Sequence, residues 1–321
     1  MKNRTLTCAL SIALLGSVGA SLFIPAPTAI VMAADGSGTT ASISDILKNQ
    51  QSDGGWKKYY SETSGEWAKS TIDNKATYTE IRRLASEYSS SKNTTYSAAA
   101  IKGINFLLNM QYANGGFPQV YKSSDYHTHI TYNDDAMVNV LILLDEIANK
   151  KGDFSFVDSN LASKAKQAVD KGVDCLLKTQ YVSSGKLTAW GQQHDENTLK
   201  PTSARIYEVP SLSAGESTTI VKFLKTRPAT SQITASIKAA EDWFKKVKIT
   251  GYRYERNSTD SYIVADSSAA PIWARFYQLD TNKPIFTGRD GVVKYALKDI
   301  DQERRAGYAW YGNWPSKIGI N

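Results

Sequence analysis

One pattern occurs three times along the chain: a helix-like segment ends at a glutamine, and a glycine-containing turn then leads to a large aromatic residue. The copies comprise residues 46–56, 107–117 and 176–190. Glycine in such turns suits the positive φ that a chain needs where a helix ends. Copies spaced about 60–70 residues apart leave room for one helical hairpin each. We therefore predict hairpins packed in a ring, an α/α toroid whose inner helices line a groove at one end.

Helical periodicity dominates the rest of the sequence. Apolar residues recur at three- and four-residue steps with charges between them, which is typical of helices that bury one face. Strand-like alternation is scarce, and Gly251–Ala265 predicts one small hairpin. The expected fold class is therefore all-α. The clearest helical segments are Glu80–Ala85, Ala98–Met110, Ala136–Ile147, Leu161–Thr179 and Ser236–Val247.

The first residues have the three parts of a secretory signal peptide. A basic start precedes an apolar stretch to about Leu22, and small residues follow. Pro25 and Pro27 interrupt the apolar run, and no second hydrophobic stretch of membrane length follows, which disfavours a membrane anchor. We expect residues 1–34 to be removed, and residues 35–321 to form a secreted domain without membrane association.

The charge of the chain favours a polyanionic partner. The formal net charge is +7, and subtracting the two positive charges of Lys2 and Arg4 in the signal leaves +5. The sequence has no long Lys/Arg run or nucleic-acid-binding motif, so we expect an acidic polysaccharide and no nucleic acid. Cys175 is the single cysteine after the signal, and its apolar neighbours predict a buried structural thiol.

Two acidic tracts stand immediately before predicted helices. The first contains Asp73 and Asn74, for which helix capping is the ordinary explanation. The second contains Asp134 and Asp135. Capping uses one aspartate, and two adjacent carboxylates repel each other unless a cation or strong donors neutralise them. Calcium suits these residues, because it takes carboxylate and amide oxygens in irregular, water-completed shells.

Arginines occur among aromatic residues in the second half of the chain. Arg205 lies in the polar tract 190–211, which lacks helical periodicity, as long functional loops do. Arg275, Arg289 and Arg304 follow, with aromatic residues close in sequence. Arginine can bind a carboxylate through two parallel hydrogen bonds, and aromatic rings can stack on sugar faces. Each arginine alone is equally compatible with a solvated side chain beside a core aromatic.

Taken together and in order, these tracts resemble polysaccharide lyase family 10, the helical pectate lyases. The resemblance runs from about Ile46 to Trp314 and implies an α/α toroid with a smaller, irregular N-terminal lobe at about 35–130. A substrate groove would lie between them. The implied activity is calcium-assisted anti β-elimination of polygalacturonate, which gives 4,5-unsaturated oligogalacturonides. Separately from the resemblance, we expect a monomer. The most specific pieces are residues 72–77, 190–195, 204–211, 284–289 and 304–312.

The resemblance implies a calcium site built from the acidic tracts. Asp73 and Asn74 correspond to the Asp-Asn pair beside the catalytic calcium. Asp73 would also take part in catalysis, and Asn74 would also contact the substrate. Asp135 corresponds to the acidic ligand that follows in the chain, and a slip of one residue would put Asp134 in its place.

The resemblance also assigns the arginines. Arg205 corresponds to the base, with Lys75 or Lys200 as alternatives. A guanidinium is normally always protonated. Nearby calcium and arginines would favour its neutral form by like-charge repulsion, so we expect an alkaline pH optimum. The arginines that would hold uronate carboxylates are Arg275, Arg289 and Arg304.

Three other functions stay open at this point. A polygalacturonase would hydrolyse the same polymer with two carboxylates, for which Asp134, Asp135 or Asp195 are candidates. A non-catalytic pectin-binding protein needs only a basic groove and aromatic residues. Terpene-cyclase-like enzymes share the glycine-aromatic turns, but the sequence lacks an Asp-rich box and a cysteine-plus-histidine zinc set. No conventional ligand set completes a zinc site around His127 and His129.

Overall fold

The computed structural model describes residues 40–321, so the predicted signal peptide lies outside the described residues. Within this range no helix is long and apolar enough to span a membrane. The described α-helices are α1 (Ile43–Asn49), α2 (Tyr78–Ser91), α3 (Thr94–Met110), α4 (Ala136–Ala148), α5 (Ser159–Thr179), α6 (Ala214–Leu224), α7 (Ser231–Val247) and α8 (Gln302–Ala306). Short 3₁₀ segments are Glu66–Ala68, Asp73–Lys75, Tyr126–Thr128, Asn133–Asp135, Gly152–Phe154, Leu297–Asp299 and Trp314–Ile318.

The strands are short and form antiparallel two-stranded ladders that connect loops. The predicted hairpin is confirmed as β6 (Tyr252–Arg256) with β7 (Ser261–Ala265). The other ladders were not predicted, because strands of two or three residues are too short to show alternation. They are β1 (Ile130–Thr131) with β4 (Gln193–His194), β2 (Val182–Ser183) with β3 (Lys186–Leu187), β5 (Ser211–Ser213) with β9 (Phe276–Gln278), β8 (Trp273–Ala274) with β12 (Tyr311–Gly312), and β10 (Phe286–Thr287) with β11 (Val293–Lys294).

Six of the helices form three hairpins arranged in two layers. The hairpins are α2–α3, α4–α5 and α6–α7. The inner helix α4 packs on both α2 and α6, while the outer helix α5 packs on both α3 and α7. Burial follows this order: eight of the 13 residues of α4 are buried, against nine of the 21 residues of α5. The predicted α/α toroid is confirmed, and Cys175 is buried within α5 as expected.

All of the clearest predicted helices are present, but α6 was not predicted. Its first turns carry Glu216, Ser217 and Thr218, all of which are buried. A helix that buries polar side chains among its apolar ones has no clean polar face, so the usual periodic pattern does not reveal it.

The repeated glutamines tie each outer helix to the next one. Gln111 follows α3, and its side-chain amide donates to the carbonyl of Gly115 at 2.9 Å and to that of Ala168, in α5, at 2.8 Å. The corresponding acceptors are the carbonyls of Gly54 and Ala99 for Gln50, and of Thr188 and Ser236 for Gln180. These bonds link α1 to α3, α3 to α5 and α5 to α7. The repeated segment therefore forms the hydrogen-bonded contact between successive outer helices.

In the first two turns the glycine does more than supply the predicted positive φ. The helix ends at the glutamine, and Gln111 is extended (φ −67°, ψ 130°), so the positive φ falls later, at Gly115 (φ 89°). A Cβ on Gly115 would lie 2.0 Å from the carbonyl oxygen of Lys171 in α5. Gly54 (φ 103°) has the same relation to Lys102 in α3, at 2.5 Å. The glycines thus allow the turn to touch the backbone of the next outer helix.

We expect Gly115→Ala to destabilise the protein more than Gly185→Ala does. Both glycines have positive φ, so each substitution costs about 1–2 kcal/mol of backbone strain. A Cβ at Gly185 would meet open space, whereas a Cβ at Gly115 would overlap α5 and add about 1–3 kcal/mol. Urea unfolding of the two variants measures the difference, and equal losses of unfolding free energy would contradict the close-contact role.

Candidate active site

The three inner helices begin at the same end of the toroid and bring acidic residues together there. The 3₁₀ segment Asp73–Lys75 precedes α2 and packs on α4, and the 3₁₀ segment Asn133–Asp135 precedes α4 and packs on α6. Glu216 lies in the first turn of α6. Helix N-termini carry partial positive charge, which favours carboxylates at these positions.

Left-handed backbone conformations are concentrated in these two 3₁₀ segments and beside them. Thr77 (φ 68°) is the least expected, because a β-branched residue rarely adopts positive φ. Its hydroxyl donates to the carbonyl of Thr71 at 2.8 Å, which helps to hold it there. Such residues cost about 1–3 kcal/mol each and persist where the surrounding structure imposes them. The others are Asn74, Lys75, Asp134 and Asp135.

The carboxylates of this end influence one another. Partial burial and the nearby Glu216 carboxylate raise the pKa of Asp134, and the charge of Asp73 acts in the same direction. The same two causes, burial and Glu216, raise the pKa of Asp135 to about 6. Asp73, Asp134, Asp135 and Glu216 therefore form one group, which we call the acidic cluster, and its negative charge is incompletely compensated.

Two cations contact the acidic cluster directly. Arg275 Nη2 lies 2.9 Å from Glu216 Oε1 and 3.9 Å from Asp134 Oδ1. Lys58 Nζ lies 2.7 Å from Asp73 Oδ2. The charge of Arg275 and a hydrogen bond from Ser213 keep the pKa of Glu216 below its ordinary value in spite of its burial. The cluster thus contains an ionised Glu216 beside Asp134 and Asp135, which ionise less readily than ordinary aspartates.

An open cavity exposes part of this cluster. Asp134, Asp135, Glu216 and Arg275 all line it. A ligand entering here would meet three carboxylates and a guanidinium. The other lining residues are Gly215, Thr218, Thr219, Trp314 and Lys317.

Two tyrosine rings connect the four predicted arginines into one surface, which we call the arginine–tyrosine wall. The guanidinium carbons of Arg205, Arg289 and Arg304 lie 5.0, 4.9 and 4.6 Å from the ring centroid of Tyr207. Arg304 and Arg275 lie 4.7 and 4.5 Å from the ring of Tyr308. Because Arg275 also contacts Glu216 and Asp134, the wall is continuous with the acidic cluster.

The environment of Arg205 differs from the one predicted. Its Nε and Nη2 donate to the carboxylate of Glu208 at 2.8 and 2.5 Å. These hydrogen bonds raise the pKa of Arg205, which is the opposite of the expected like-charge effect. Burial instead lowers the pKa of Arg304, and the charge of Arg289 adds to the effect. The alternative bases Lys75 and Lys200 are both exposed.

The donor set of the acidic cluster fits a hard divalent cation. Glu216 is ionised, and burial together with the Glu216 charge raises the pKa values of Asp134 and Asp135, so added positive charge would favour their ionised forms. Asn74 adds an exposed amide oxygen beside Asp73. The Asp73–Asp134–Asp135 group is not among the described groups with three ligand atoms within 4.8 Å of one another. A cation here would therefore take further oxygens from water or from a substrate.

The two tight ligand groups within residues 40–321 lie elsewhere and each contains a histidine. One is Glu66, Asp125 and His127, and the other is His129, Asp195 and Glu196. No ligand set for His127 or His129 was predicted, whereas the fold places two carboxylates beside each. Asp195, one of the three candidates for hydrolysis, accepts hydrogen bonds from the backbone amides of Asn197 and Thr198 and belongs to the group with His129.

Several residues of the site were missed by sequence reasoning. Glu208 stands three residues after Arg205, a spacing that could have suggested an ion pair. Glu216 is an acidic residue in an apolar helical segment, which is also a usable indication. Tyr207 and Tyr308 were noted only as neighbours of arginines. Nothing in the sequence distinguishes Lys58 from other lysines.

Comparison with known proteins agrees with the fold. The pectic acid lyase family model matches residues 47–319. The family 10 polysaccharide lyase from Cellvibrio cellulosa is 38% identical, with a TM-score of 0.80, over 88% of this chain and 91% of that chain. A mutant of that lyase in complex with trigalacturonic acid gives the same identity and TM-score over 87% of this chain and 92% of the other. A comparison with curated protein sequences gave no significant match.

The helical toroid, together with these matches, defines a polysaccharide lyase. The chain belongs to the pectic acid lyase family, and it is a pectate lyase.

We expect the raised pKa of Asp135 to appear as a pH-dependent loss of stability in metal-free protein. A carboxyl whose pKa is about 6 when folded and about 3.8 when unfolded holds its proton more tightly in the folded state. Its contribution to stability is therefore present below pH 4 and lost as the pH rises to 6. Urea unfolding in EDTA at pH 4 and pH 7 should show this fall for the native protein relative to Asp135→Asn, which has no proton to lose. Asp174→Asn, on the exposed surface of α5, is the control, and a difference that does not change with pH would contradict the assignment.

Proposed function

We propose that this pectate lyase cleaves polygalacturonate by calcium-assisted anti β-elimination, with Arg205 as the base, outside the cell. The observation that carries the proposal is the continuity of the acidic cluster with the arginine–tyrosine wall through Arg275. A polymer with one carboxylate per sugar needs both a cation site and several guanidinium groups along its path. The complex of the related Cellvibrio enzyme with trigalacturonic acid supports oligogalacturonates as ligands.

The reaction removes the C5 proton of a galacturonate, forms the C4–C5 double bond and breaks the bond between C4 and the bridging oxygen. That oxygen leaves with the neighbouring sugar and takes a proton from water to become its hydroxyl. The C5 proton is weakly acidic because the adjacent carboxylate is already negative. Calcium, when bound, neutralises that carboxylate and so makes the C5 proton easier to remove. Asp73, Asp134 and Asp135, with the amide oxygen of Asn74, would hold the ion.

The arginines would stabilise the negative charge that develops on the uronate as the proton leaves. Arg275 and Arg304 are the best placed, because both are largely buried and both lie against Tyr308. Arg289 is paired with Glu303 and is exposed, so it would bind a carboxylate farther along the polymer. Fixed donors aimed at developing charge typically contribute about 10²–10³ in rate.

Arg205 would accept the C5 proton only after its pairing with Glu208 weakens. The guanidinium is half-exposed, so a uronate can approach its free edge. Cationic neighbours, including bound calcium, would favour the neutral form, while Glu208 favours the charged form. Because Arg205 must lose its proton before it can act as base, we expect activity to rise with pH into the alkaline range.

The N-terminal segment supports export of the enzyme. Its basic start, apolar centre and small-residue exit are those of a secretory signal peptide. Pectate is an extracellular polymer, so its degradation requires the enzyme outside the cell.

We expect the enzyme, expressed with its own N-terminal segment and collected from the culture medium, to begin near residue 35 and to convert polygalacturonate into unsaturated products. These products absorb near 235 nm because elimination creates a conjugated double bond. EDTA should abolish the absorbance signal and calcium should restore it. Asp135→Asn should lower kcat by about 10²-fold or more.

New reducing ends without absorbance near 235 nm would indicate hydrolysis, and binding of polygalacturonate without either product would indicate a non-catalytic protein. Absence of the protein from the medium would contradict export.

We expect Glu208→Gln to shift the alkaline rise of kcat/KM to lower pH. The substitution removes the carboxylate that stabilises the protonated guanidinium, so Arg205 loses its proton more readily. The check is a pH–rate profile of the native enzyme, Glu208→Gln and Arg205→Ala. Arg205→Ala with near-native turnover would exclude Arg205 as base, and an unshifted profile for Glu208→Gln would mean that the rise reports another group.

A further inference from the structure

Lys58 has a position in the acidic cluster that the proposed reaction does not use. It follows the glycine turn of the first repeat, and its ammonium lies 2.7 Å from Oδ2 of Asp73. Only 3% of the Asp73 side chain is exposed, against 17% for Lys58. A carboxylate this deeply buried is costly without a positive partner. Lys58 supplies that partner in the absence of a metal ion.

The ammonium of Lys58 is near more than one member of the cluster. Its charge also lowers the pKa of Asp134, opposing the effect of Glu216 there. It also contacts aromatic rings, since Nζ lies 4.4 Å from the ring centroid of Trp67 and 5.5 Å from that of Tyr59. The side chain of Lys58 thus contacts both aromatic residues of the N-terminal region and a carboxylate at the start of an inner helix.

We propose that Lys58 is a resident counter-ion that competes with calcium for Asp73, and thereby couples calcium binding to the presence of substrate. This inference rests on the proposed function, because it takes Asp73 as a calcium ligand. An ammonium and a divalent cation on one carboxylate repel each other, so calcium either displaces Lys58 or binds beside it at reduced affinity. In both cases the charge of Lys58 weakens the metal site.

The substrate reverses this effect. A uronate carboxylate entering the cavity adds negative charge beside the calcium and offers a new partner to the displaced ammonium. Calcium and substrate therefore favour each other's binding more strongly than they would without Lys58. Such coupling is reciprocal, so it can be measured from either ligand.

Calcium affinity measured by titration calorimetry tests the proposal without an activity assay. We expect Lys58→Met, in the absence of sugar, to bind calcium about tenfold more tightly than the native protein or more, because a like charge within a few ångströms has been removed. Lys57→Met is the matched control: it loses the same charge, but its ammonium donates to the backbone carbonyl of Glu62 and not to the cluster. Its calcium affinity should be unchanged.

Trigalacturonate provides the second readout. The factor by which it raises calcium affinity should be smaller in Lys58→Met than in the native protein. Unchanged or weaker calcium binding by a folded Lys58→Met protein would overturn the competition, and an unchanged factor would overturn the coupling.

If Lys58→Met does not fold, Lys58→Gln serves, since its amide can still donate to Asp73 without charge, and the same tightening of calcium binding is expected. Asp73→Asn tests the proposed function separately from the role of Lys58. If this variant binds calcium as the native protein does, Asp73 is not a calcium ligand and the proposed metal site is wrong, whatever Lys58 does.

Discussion

The bonds made by the three repeated glutamines set the geometry on which the rest of the molecule depends. Each glutamine amide joins the end of one outer helix to the backbone of the next, and in the first two copies the turn beside it fits only because its glycine has no side chain. This fixes the step from hairpin to hairpin. Since every hairpin makes the same step, the inner helices point the same way and their first turns meet at one end. The acidic cluster is a consequence of that repetition.

The site is governed by the placement of charge in partly buried surroundings. Carboxylates are crowded at the helix starts, where helix dipoles favour them, but burial and mutual repulsion raise the pKa values of Asp134 and Asp135. Arg275 and Lys58 offset part of that charge, one from each side. The negative charge that remains uncompensated suits a divalent cation, and the arginines suit a substrate that carries its own carboxylates. A terpene-cyclase-like enzyme on this scaffold would need an apolar cavity in the same place, and the cavity here is lined by charged residues.

Much of the site could be predicted because its residues come from short tracts with characteristic order. Asp73, Asp134 and Asp135 stand before helices, and the structure brings them together. Arg275 and Arg304 also join one surface with Arg205, as the resemblance implied. Their partners could not be predicted. Glu208 reverses the expected effect on the pKa of Arg205, and it does so through a loop conformation that no periodicity encodes.

The sequence by itself determined the helical hairpins, their repeat and the identity of the residues at the starts of the inner helices, because these depend on local periodicity and on motifs of a few residues. It did not determine α6, whose buried polar residues hide its pattern, or the ladders of two or three residues. Only the tertiary structure decided which charges meet. Lys58 reaches Asp73 and Arg275 reaches Glu216 across 15 and 59 residues of chain, and such distances depend on how the hairpins pack. Electrostatic contacts of this kind arise when the chain has folded, and local sequence carries no record of them.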